Sequence, residues 1–239
     1  MSYSIIARCA RSGQIGIGLA SVSLAAGTGL DAAVRPNVGA ILVQGARSFR
    51  LNRLATNLLA QGHAPAHVMR QLETTDPDFD LRQVAIIDRE SILATHSGAA
   101  VRPWSCIRSG SGYAVLCEDT ADERIAQAMV AAFEAAPDDE LDNRLLCALE
   151  AGSTAAASTA TKGLPIRSAA LVNWGRRDYS DLEVRVDMHE DPVTELRRVY
   201  ADMKPSVEYY EQRARNPSKA MHHREFAGLL KAQQKQEAS

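Results

Sequence analysis

The sequence predicts an α+β fold in which blocks of strands and blocks of helices are segregated along the chain. Short strand-like runs bounded by glycine turns come first, helical periodicity follows, and the order then repeats as strands, helices, strands and a helix. This order favours packed α+β layers over a doubly wound parallel sheet, in which single strands and helices alternate. The 239 residues are 46% hydrophobic, which is enough for one large core.

The N-terminal residues predict an antiparallel hairpin. Residues 2–9 form a β-type run, residues 11–14 carry a turn signal, and Ile15–Ser23 alternates apolar residues with Gly16 and Gly18. Glycine inside a strand often marks a close approach by another backbone or by a ligand.

The remaining elements follow from periodicity and turn residues. The predicted strands are Val38–Gln44, Gln83–Asp88, Ile92–His96, Tyr113–Cys117, Ser168–Trp174 and Leu182–Val186. The predicted helices are Leu51–Leu59, Ala64–Leu72, Asp122–Ala136, Asp139–Ala151 and Pro192–Tyr200, with loops at Gly27–Asn37 and Ser153–Thr161. Val38–Gln44 is apolar enough to be buried on both faces, and Pro65 suits the first turn of its helix. Gly152 is expected to end the helix before it.

Composition indicates one domain over residues 1–203 and a charged helical extension over residues 204–239. No internal repeat or linker separates smaller parts of the first segment. The extension contains two charged helical stretches, Glu208–Arg215 and Glu225–Gln236. It is expected to pack onto the domain or to bind a partner, and the chain is compatible with a homodimer.

Charge and hydropathy exclude several classes of function. With 27 basic and 29 acidic side chains, the net charge of −2 supplies no field for nucleic acid. No stretch reaches the roughly 18 apolar residues of a membrane span. The first residues lack the basic and apolar regions of a signal peptide, so a cytoplasmic protein is expected. P-loop, dinucleotide, GxSxG and HExxH motifs do not occur, and no cofactor or metal is expected.

Histidines and late acidic residues give weaker candidates. His63 and His67 have the i, i+4 spacing of metal ligands, but no third ligand is evident and a structural role is favoured. His96 follows a strand, and both a structural and a substrate-binding role stay open. Asp187 and His189 are left open in the same way.

Asp191, which follows these two residues, is adjacent to Pro192. A residue of this type before a first-turn proline is typical of a helix cap, and we favour that role for Asp191.

The second residue offers a candidate nucleophile. Met1 precedes the small residue Ser2, a context in which the initiator methionine is commonly removed. Removal would expose an α-amine beside the serine hydroxyl, and the pKa of such an amine in peptides is about 7.7–8.0. Such an amine can accept the hydroxyl proton without a separate histidine. Serine at position 2 is common, however, and is usually inert.

Several motifs occur together in a specific order. They are the opening Met1–Arg8, the run Gly13–Ser21, Arg35 with Val38–Ala40 and Gln44, Arg82–Gln83, Leu149–Gly152, Ser168–Leu171 and Leu182–Leu196. Over about residues 2–200 this order resembles the DUF1028 family, which is grouped with the N-terminal-nucleophile (Ntn) hydrolases. The resemblance implies a four-layer αββα fold, with two stacked antiparallel sheets between helical layers.

The resemblance also implies the chemistry of a small-molecule amidohydrolase. Ser2 stands where Ntn enzymes carry their nucleophile, in place of the threonine more usual in the family. Ser21 and Arg35 are expected to orient the amine or the substrate, and backbone N–H groups at Gln44 and Gly45 to form the oxyanion hole. The substrate-side candidates are Asp187, His189 and His96, and no metal or organic cofactor is required.

Three segments depart from the family pattern. They are Gly45–Asn52, Cys117–Glu118 and Thr161–Arg167. We expect them to lie near the substrate. Together with the charged extension they support an alternative function, in which a catalytically inactive relative uses the same fold for binding or assembly.

Overall fold

The computed structural model describes residues 1–30, 33–102, 104–120, 123–158 and 164–237. The chain divides into two compact units, Met1–Arg197 and Arg198–Ser239. The strands are β1 (Ser2–Arg8), β2 (Ile15–Ser21), β3 (Val34–Arg35), β4 (Gly39–Gly45), β5 (Arg82–Asp88), β6 (Leu93–Ser97), β7 (Cys106–Gly110), β8 (Tyr113–Glu118), β9 (Ser168–Trp174) and β10 (Leu182–Val186). The helices are α1 (Phe49–Ala60), α2 (Pro65–Thr75), α3 (Arg124–Glu134), α4 (Leu141–Ser158), α5 (Pro192–Met203), α6 (Val207–Arg215) and α7 (His223–Glu237).

The first unit contains two antiparallel sheets that face each other. One sheet has six strands in the order β10-β9-β2-β1-β8-β7, and the other has four in the order β3-β4-β5-β6. β1 contacts β4 and β5 across the interface, α3 and α4 pack on the larger sheet, and α1 and α2 pack on the smaller one. The predicted α+β class, with two antiparallel sheets between helices, is therefore confirmed.

The first strand lies in the middle of the larger sheet, between β2 and β8. Ser2 lies opposite Ser21 on one side and opposite Glu118 on the other. Ile6 belongs to the apolar cluster between the sheets, whereas a Cβ added to Gly152 of α4 would lie 3.0 Å from the ring of Tyr3. Because strand side chains alternate, the even-numbered residues of β1 face the smaller sheet and the odd-numbered ones face the helices.

The prediction of a loop at Ser153–Thr161 is wrong for its first six residues. The helix α4 passes through Gly152 and ends at Ser158, and residues 159–161 lie outside the described part of the chain. Gly152 is buried in α4 because Met129 and Tyr3 leave no space for a side chain there. The following alanines favour helix, so the glycine marks a close contact and not a helix end.

Two short strands were not predicted. β3 lies inside the segment predicted as the loop Gly27–Asn37, and β7 pairs with β8 through a two-residue turn. Both are edge strands, and their residues lack a clear apolar alternation. The other predicted strands are present, with Ser168–Trp174 and Leu182–Val186 at the predicted bounds.

The second unit is helical over its described residues. Both predicted charged stretches are helices, α6 and α7, which are joined by a stack of Tyr209 on Phe226 with ring centroids 3.8 Å apart. Among the described residues, no helix is long and apolar enough to cross a membrane.

Candidate active site

A cavity of about 210 Å³ opens at the end of the sandwich where β1 begins. Its wall includes Ser2 and Ser4 from β1, Ser21 from β2, and Gln44 and Gly45 from β4. We call it the Ser2 cavity. The strand alternation explains its composition, because polar residues replace the apolar ones of the inter-sheet face at this end of β1, β2 and β4.

Three serines form a short hydrogen-bonded array in this cavity. Ser2 Oγ and Ser21 Oγ are 2.8 Å apart, within hydrogen-bonding distance. Ser21 Oγ also accepts a hydrogen bond from the backbone N–H of Ser23, at 3.1 Å. The bond from Ser23 leaves the Ser21 hydroxyl proton free to point at Ser2, so the pair can orient the Ser2 hydroxyl or pass a proton.

A buried glutamine connects the two sheets behind these serines. Ser4 Oγ donates to Gln44 Oε1 at 2.5 Å, and Gln44 Nε2 donates to Gln83 Oε1 at 3.2 Å and to the Ser2 carbonyl at 3.4 Å. Gln83 donates in turn to Ser97 Oγ, at 3.4 Å. These bonds hold the backbone of Ser2 against β4 and satisfy polar groups that would otherwise be buried without partners.

The terminal amine lies at the cavity wall. The Met1 amine donates to Asp119 Oδ2 at 3.2 Å, and Arg102 contacts the same oxygen at 3.3 Å. Partial burial raises the pKa of Asp119, but the hydrogen bond and charge of the amine, together with Arg102, outweigh it and leave the pKa below its ordinary value. The Met1 side chain is only 11% exposed, and Met1 lines the cavity beside Ser2.

A second acidic side chain, Glu118, lies opposite Ser2 on β8. Desolvation raises the pKa of Glu118, although Arg102, the terminal amine and the backbone N–H of Gly45 favour its charged form. Gly45 has a φ of +82°, and an added Cβ would lie 2.6 Å from the Leu81 carbonyl, so this position requires glycine. The N–H expected to serve an oxyanion therefore already faces a carboxylate.

A second arginine besides Arg102, Arg47, also lines the cavity but makes different contacts. Arg47 donates to the carbonyl of Ala26 and lies over the Phe49 ring, 5.6 Å from its centroid. Among the described residues no carboxylate pairs with Arg47. The cavity lining is thus charged unevenly, because both acidic groups lie near the terminal amine whereas Arg47 has no acidic partner within the described ranges.

The DUF1028 family model, described as a family of unknown function, matches residues 2–196. The chain belongs to the DUF1028 family. No curated protein matches the chain. The fold of the chain is similar to the crystal structure of protein SPO2555 from Silicibacter pomeroyi, which carries the same family description. The two sequences are 24% identical, the match covers 85% of this chain and 89% of that one, and the TM-score is 0.72. This likeness supports the fold.

In this DUF1028 chain, four of the predicted site residues come together. Ser2, Ser21, Gln44 and Gly45 all line the cavity. Two of the segments that depart from the family pattern also reach it, through Gly45 with Arg47 and through Glu118. The third segment lies partly outside the described residues, at 161–163. Besides apolar residues, the lining residues that sequence reasoning did not select as site residues are Met1, Ser4, Ser23, Arg47, Arg102, Glu118 and Asp119.

Two other candidates lie away from the lining of the Ser2 cavity. Arg35 is exposed on β3, and its guanidinium donates to Asn57 at 3.3 Å. His96 on β6 stacks on Phe79, with ring centroids 4.3 Å apart, and its Nε2 is buried without a partner in the described chain.

The late acidic segment is also held by local contacts. Asp187 pairs with Arg185 at 2.9 Å, and His189 Nδ1 accepts the backbone N–H of Asp191 at 3.0 Å. Asp191 accepts the N–H of Thr194 at 3.3 Å, as a helix cap does. Neither Asp187 nor His189 is in the cavity lining.

The paired histidines and the rest of the described chain give no support for a metal site. His63 and His67 stack on each other, with ring centroids 4.7 Å apart. Within the described ranges, no three histidine, cysteine or acidic side chains are close enough to hold a metal ion.

Proposed function

We propose that the chain is an Ntn-type amidohydrolase that cleaves a small amide with Ser2 as its nucleophile. One observation carries the proposal. The Ser2 hydroxyl lies in the wall of a cavity large enough for a small ligand, hydrogen-bonded to a second hydroxyl, at the first residue of a central strand.

The proposed reaction begins with loss of Met1, which frees the Ser2 amine. Ser2 Oγ attacks the amide carbonyl carbon while its proton passes to that amine, either directly or through Ser21. The amine then gives the proton to the leaving nitrogen as the carbon–nitrogen bond breaks. Water hydrolyses the resulting ester, which releases a carboxylic acid and restores the serine.

The charged groups near Ser2 support this reaction. Asp119 already holds a terminal ammonium group at the cavity wall, so a terminus one residue shorter finds a carboxylate close by. In the proposed reaction the Gly45 N–H stabilises the oxyanion. The substrate carbonyl oxygen must then displace the Glu118 carboxylate from that N–H, and desolvation makes this carboxylate costly to keep ionised.

A non-catalytic binding protein is the second candidate. Two segments that depart from the family pattern line the cavity, through Arg47 and Glu118, and this favours it. A retained methionine would also keep the Ser2 nitrogen in a peptide bond. In that case the serines bind a ligand but no base is available on the first residue.

Two forms of the chain separate these candidates. One form begins at Ser2, produced by a protease that leaves no extra residue, and the other retains Met1, with both termini verified by intact mass. We expect only the first to hydrolyse members of a small-amide panel, and we expect Ser2→Ala to abolish that activity. Ser12→Ala, in an exposed turn, is the matched control and should be fully active.

The native protein gives an independent check. Intact mass of protein purified from its own cells should show loss of the first methionine. Equal activity of the two forms, or an active Ser2→Ala variant, would exclude Ser2 chemistry.

A further inference from the structure

A small side pocket adjoins the Ser2 cavity on the side of Arg47. Its volume is about 30 Å³, and it shares five lining residues with the Ser2 cavity: Leu19, Ala26, Leu42, Val43 and Arg47. The side pocket is bounded further by the start of α1, through Ser48, Phe49 and Asn52. A ligand in the Ser2 cavity can therefore extend toward the first turn of this helix.

Asn52 lines the side pocket and carries an unpartnered polar atom. The residue is 9% exposed, and its buried Oδ1 has no hydrogen-bond partner in the described chain. A buried polar atom without a partner costs about 1–3 kcal/mol, so such an atom in a pocket wall points to a ligand or water that satisfies it. A half-turn about the Cβ–Cγ bond exchanges the amide oxygen and nitrogen, so the same side chain can offer N–H donors.

Two further features make this pocket electropositive. The 12-residue helix α1 begins here, and its first turn contains no acidic residue that offsets the partial positive charge of the helix N-terminus. Arg47, one residue before the Ser48 cap, has no carboxylate partner among the described residues. The helix end, the guanidinium and the amide thus all line the side pocket, and neither Glu118 nor Asp119 is in its lining.

We infer that the substrate is an amide that carries a carboxylate, and that this carboxylate binds between Arg47, the start of α1 and Asn52. The position of the amide in this inference rests on the proposed hydrolysis, whereas the anion site is argued from the residues that line the side pocket. The guanidinium offers paired N–H donors that match the two carboxylate oxygens, and the Asn52 amide turns its N–H₂ group toward them. The amide carbonyl then reaches Ser2 in the adjoining cavity.

The test uses N-acyl amino acids and matched N-acyl amino alcohols, in which a hydroxymethyl group replaces the carboxylate. The chain that begins at Ser2 should hydrolyse the acids with a kcat/KM at least tenfold higher than that of the alcohols. Arg47→Gln should remove this preference through KM, and Asn52→Asp should raise KM for the acids while leaving the alcohols unaffected. Arg50→Gln is the matched control, since Arg50 is exposed on the same helix turn and lines neither cavity.

Calorimetric binding separates failure of this inference from failure of the proposed hydrolysis. The Ser2→Ala variant should bind the acids, and the Ser2→Ala/Arg47→Gln variant should not. This result supports the anion site even where no amide is cleaved. Equal use of acids and alcohols by the wild-type chain overturns the inference, and so does a preference that survives Arg47→Gln in a folded protein. Substitution by Arg47→Lys should restore part of the preference, because it restores the charge without the paired donors.

Discussion

Replacement of Gln44 by leucine tests whether the polar contacts behind Ser2 hold the two sheets together. The glutamine is 8% exposed and bonds to Ser4 Oγ and Gln83 Oε1, which belong to residues 1% and 0% exposed. Leucine has a similar size but no polar atoms, so Gln44→Leu leaves the hydroxyl of Ser4 without its acceptor and the amide oxygen of Gln83 without its donor.

The magnitude follows from these two unpartnered groups. Each buried group without a partner costs about 1–3 kcal/mol, or about 2–6 kcal/mol together. The added apolar burial of leucine returns about 1–2 kcal/mol. The middle values of these ranges predict that Gln44→Leu lowers the free energy of unfolding by about 2–3 kcal/mol, which is a large share of the stability of an ordinary domain.

A double-mutant cycle with Ser4→Ala isolates the contact to the serine. Ser4→Ala alone strands Gln44 Oε1, whereas the double variant removes both partners, so it should cost about 1–3 kcal/mol less than the sum of the single variants. Urea unfolding followed by the fluorescence of the buried Trp174 measures all four proteins. Gln127→Leu, at an exposed site on α3, is the control. A Gln44→Leu variant within 0.5 kcal/mol of wild type, or additive single effects, would refute the reasoning.

Three further variants probe burial, charge and packing. Asp76 and Arg82 form an ion pair in which each side chain is 10% exposed, and the hydrogen bond from Arg82 lowers the pKa of Asp76. Asp76→Asn should therefore lower the free energy of unfolding by about 3–5 kcal/mol at pH 7. Urea unfolding across pH should show this loss shrinking as the pH falls through the lowered pKa of Asp76. Desolvation raises the pKa of Glu118, so Glu118→Gln should raise the melting temperature at pH 7. This gain should vanish as the pH falls below the ordinary pKa of glutamate. A variant that is no more stable than wild type at pH 7 would contradict this. Gly16→Ala would put a Cβ 2.4 Å from a buried leucine of α4 and 3.1 Å from a carbonyl of β9. It should lower the free energy of unfolding, measured by thermal unfolding, by about 1–3 kcal/mol. Gly228→Ala, whose added Cβ has no atom within 4 Å, should cause no loss of stability.

Local sequence patterns predict most elements of this fold but not their arrangement in space. The strands Ser168–Trp174 and Leu182–Val186 are predictable because β-branched or apolar residues lie between clear turn residues. β7 is not, because it is a half-exposed edge strand without alternation. The order of strands in the sheet depends on pairing between distant segments, and no periodicity within β1 indicates that β8 lies beside it.

The same distinction explains what could be predicted of the cavity. Ser2, Ser21 and Gln44 stand in segments with recognisable motifs, so their meeting follows once the family fold is assumed. Glu118 reaches Ser2 only through the pairing of β1 with β8, and Asp119 only through the turn that follows it. Such contacts arise from tertiary structure, so charge and spacing along the sequence do not indicate them. Only the departure of Cys117–Glu118 from the family pattern predicts that Glu118 lies near the substrate.

Because β1 pairs with a strand on each side, removal of Met1 is expected to leave the position of Ser2 unchanged. Side chains alternate along a strand, so a slip of one residue against β2 and β8 would turn Ser2 from the cavity toward the helices and expose Tyr3 between the sheets. Apolar side chains of β1 are fully buried on both faces, which makes that slip costly. Loss of Met1 leaves this register intact. It removes the bond from the Val22 N–H to the Met1 carbonyl, the ion pair of the Met1 amine with Asp119, each at 3.2 Å, and the contacts of one side chain. Removal of the first residue can therefore open the cavity and free the amine without moving the hydroxyl, which is the condition that chemistry at Ser2 requires.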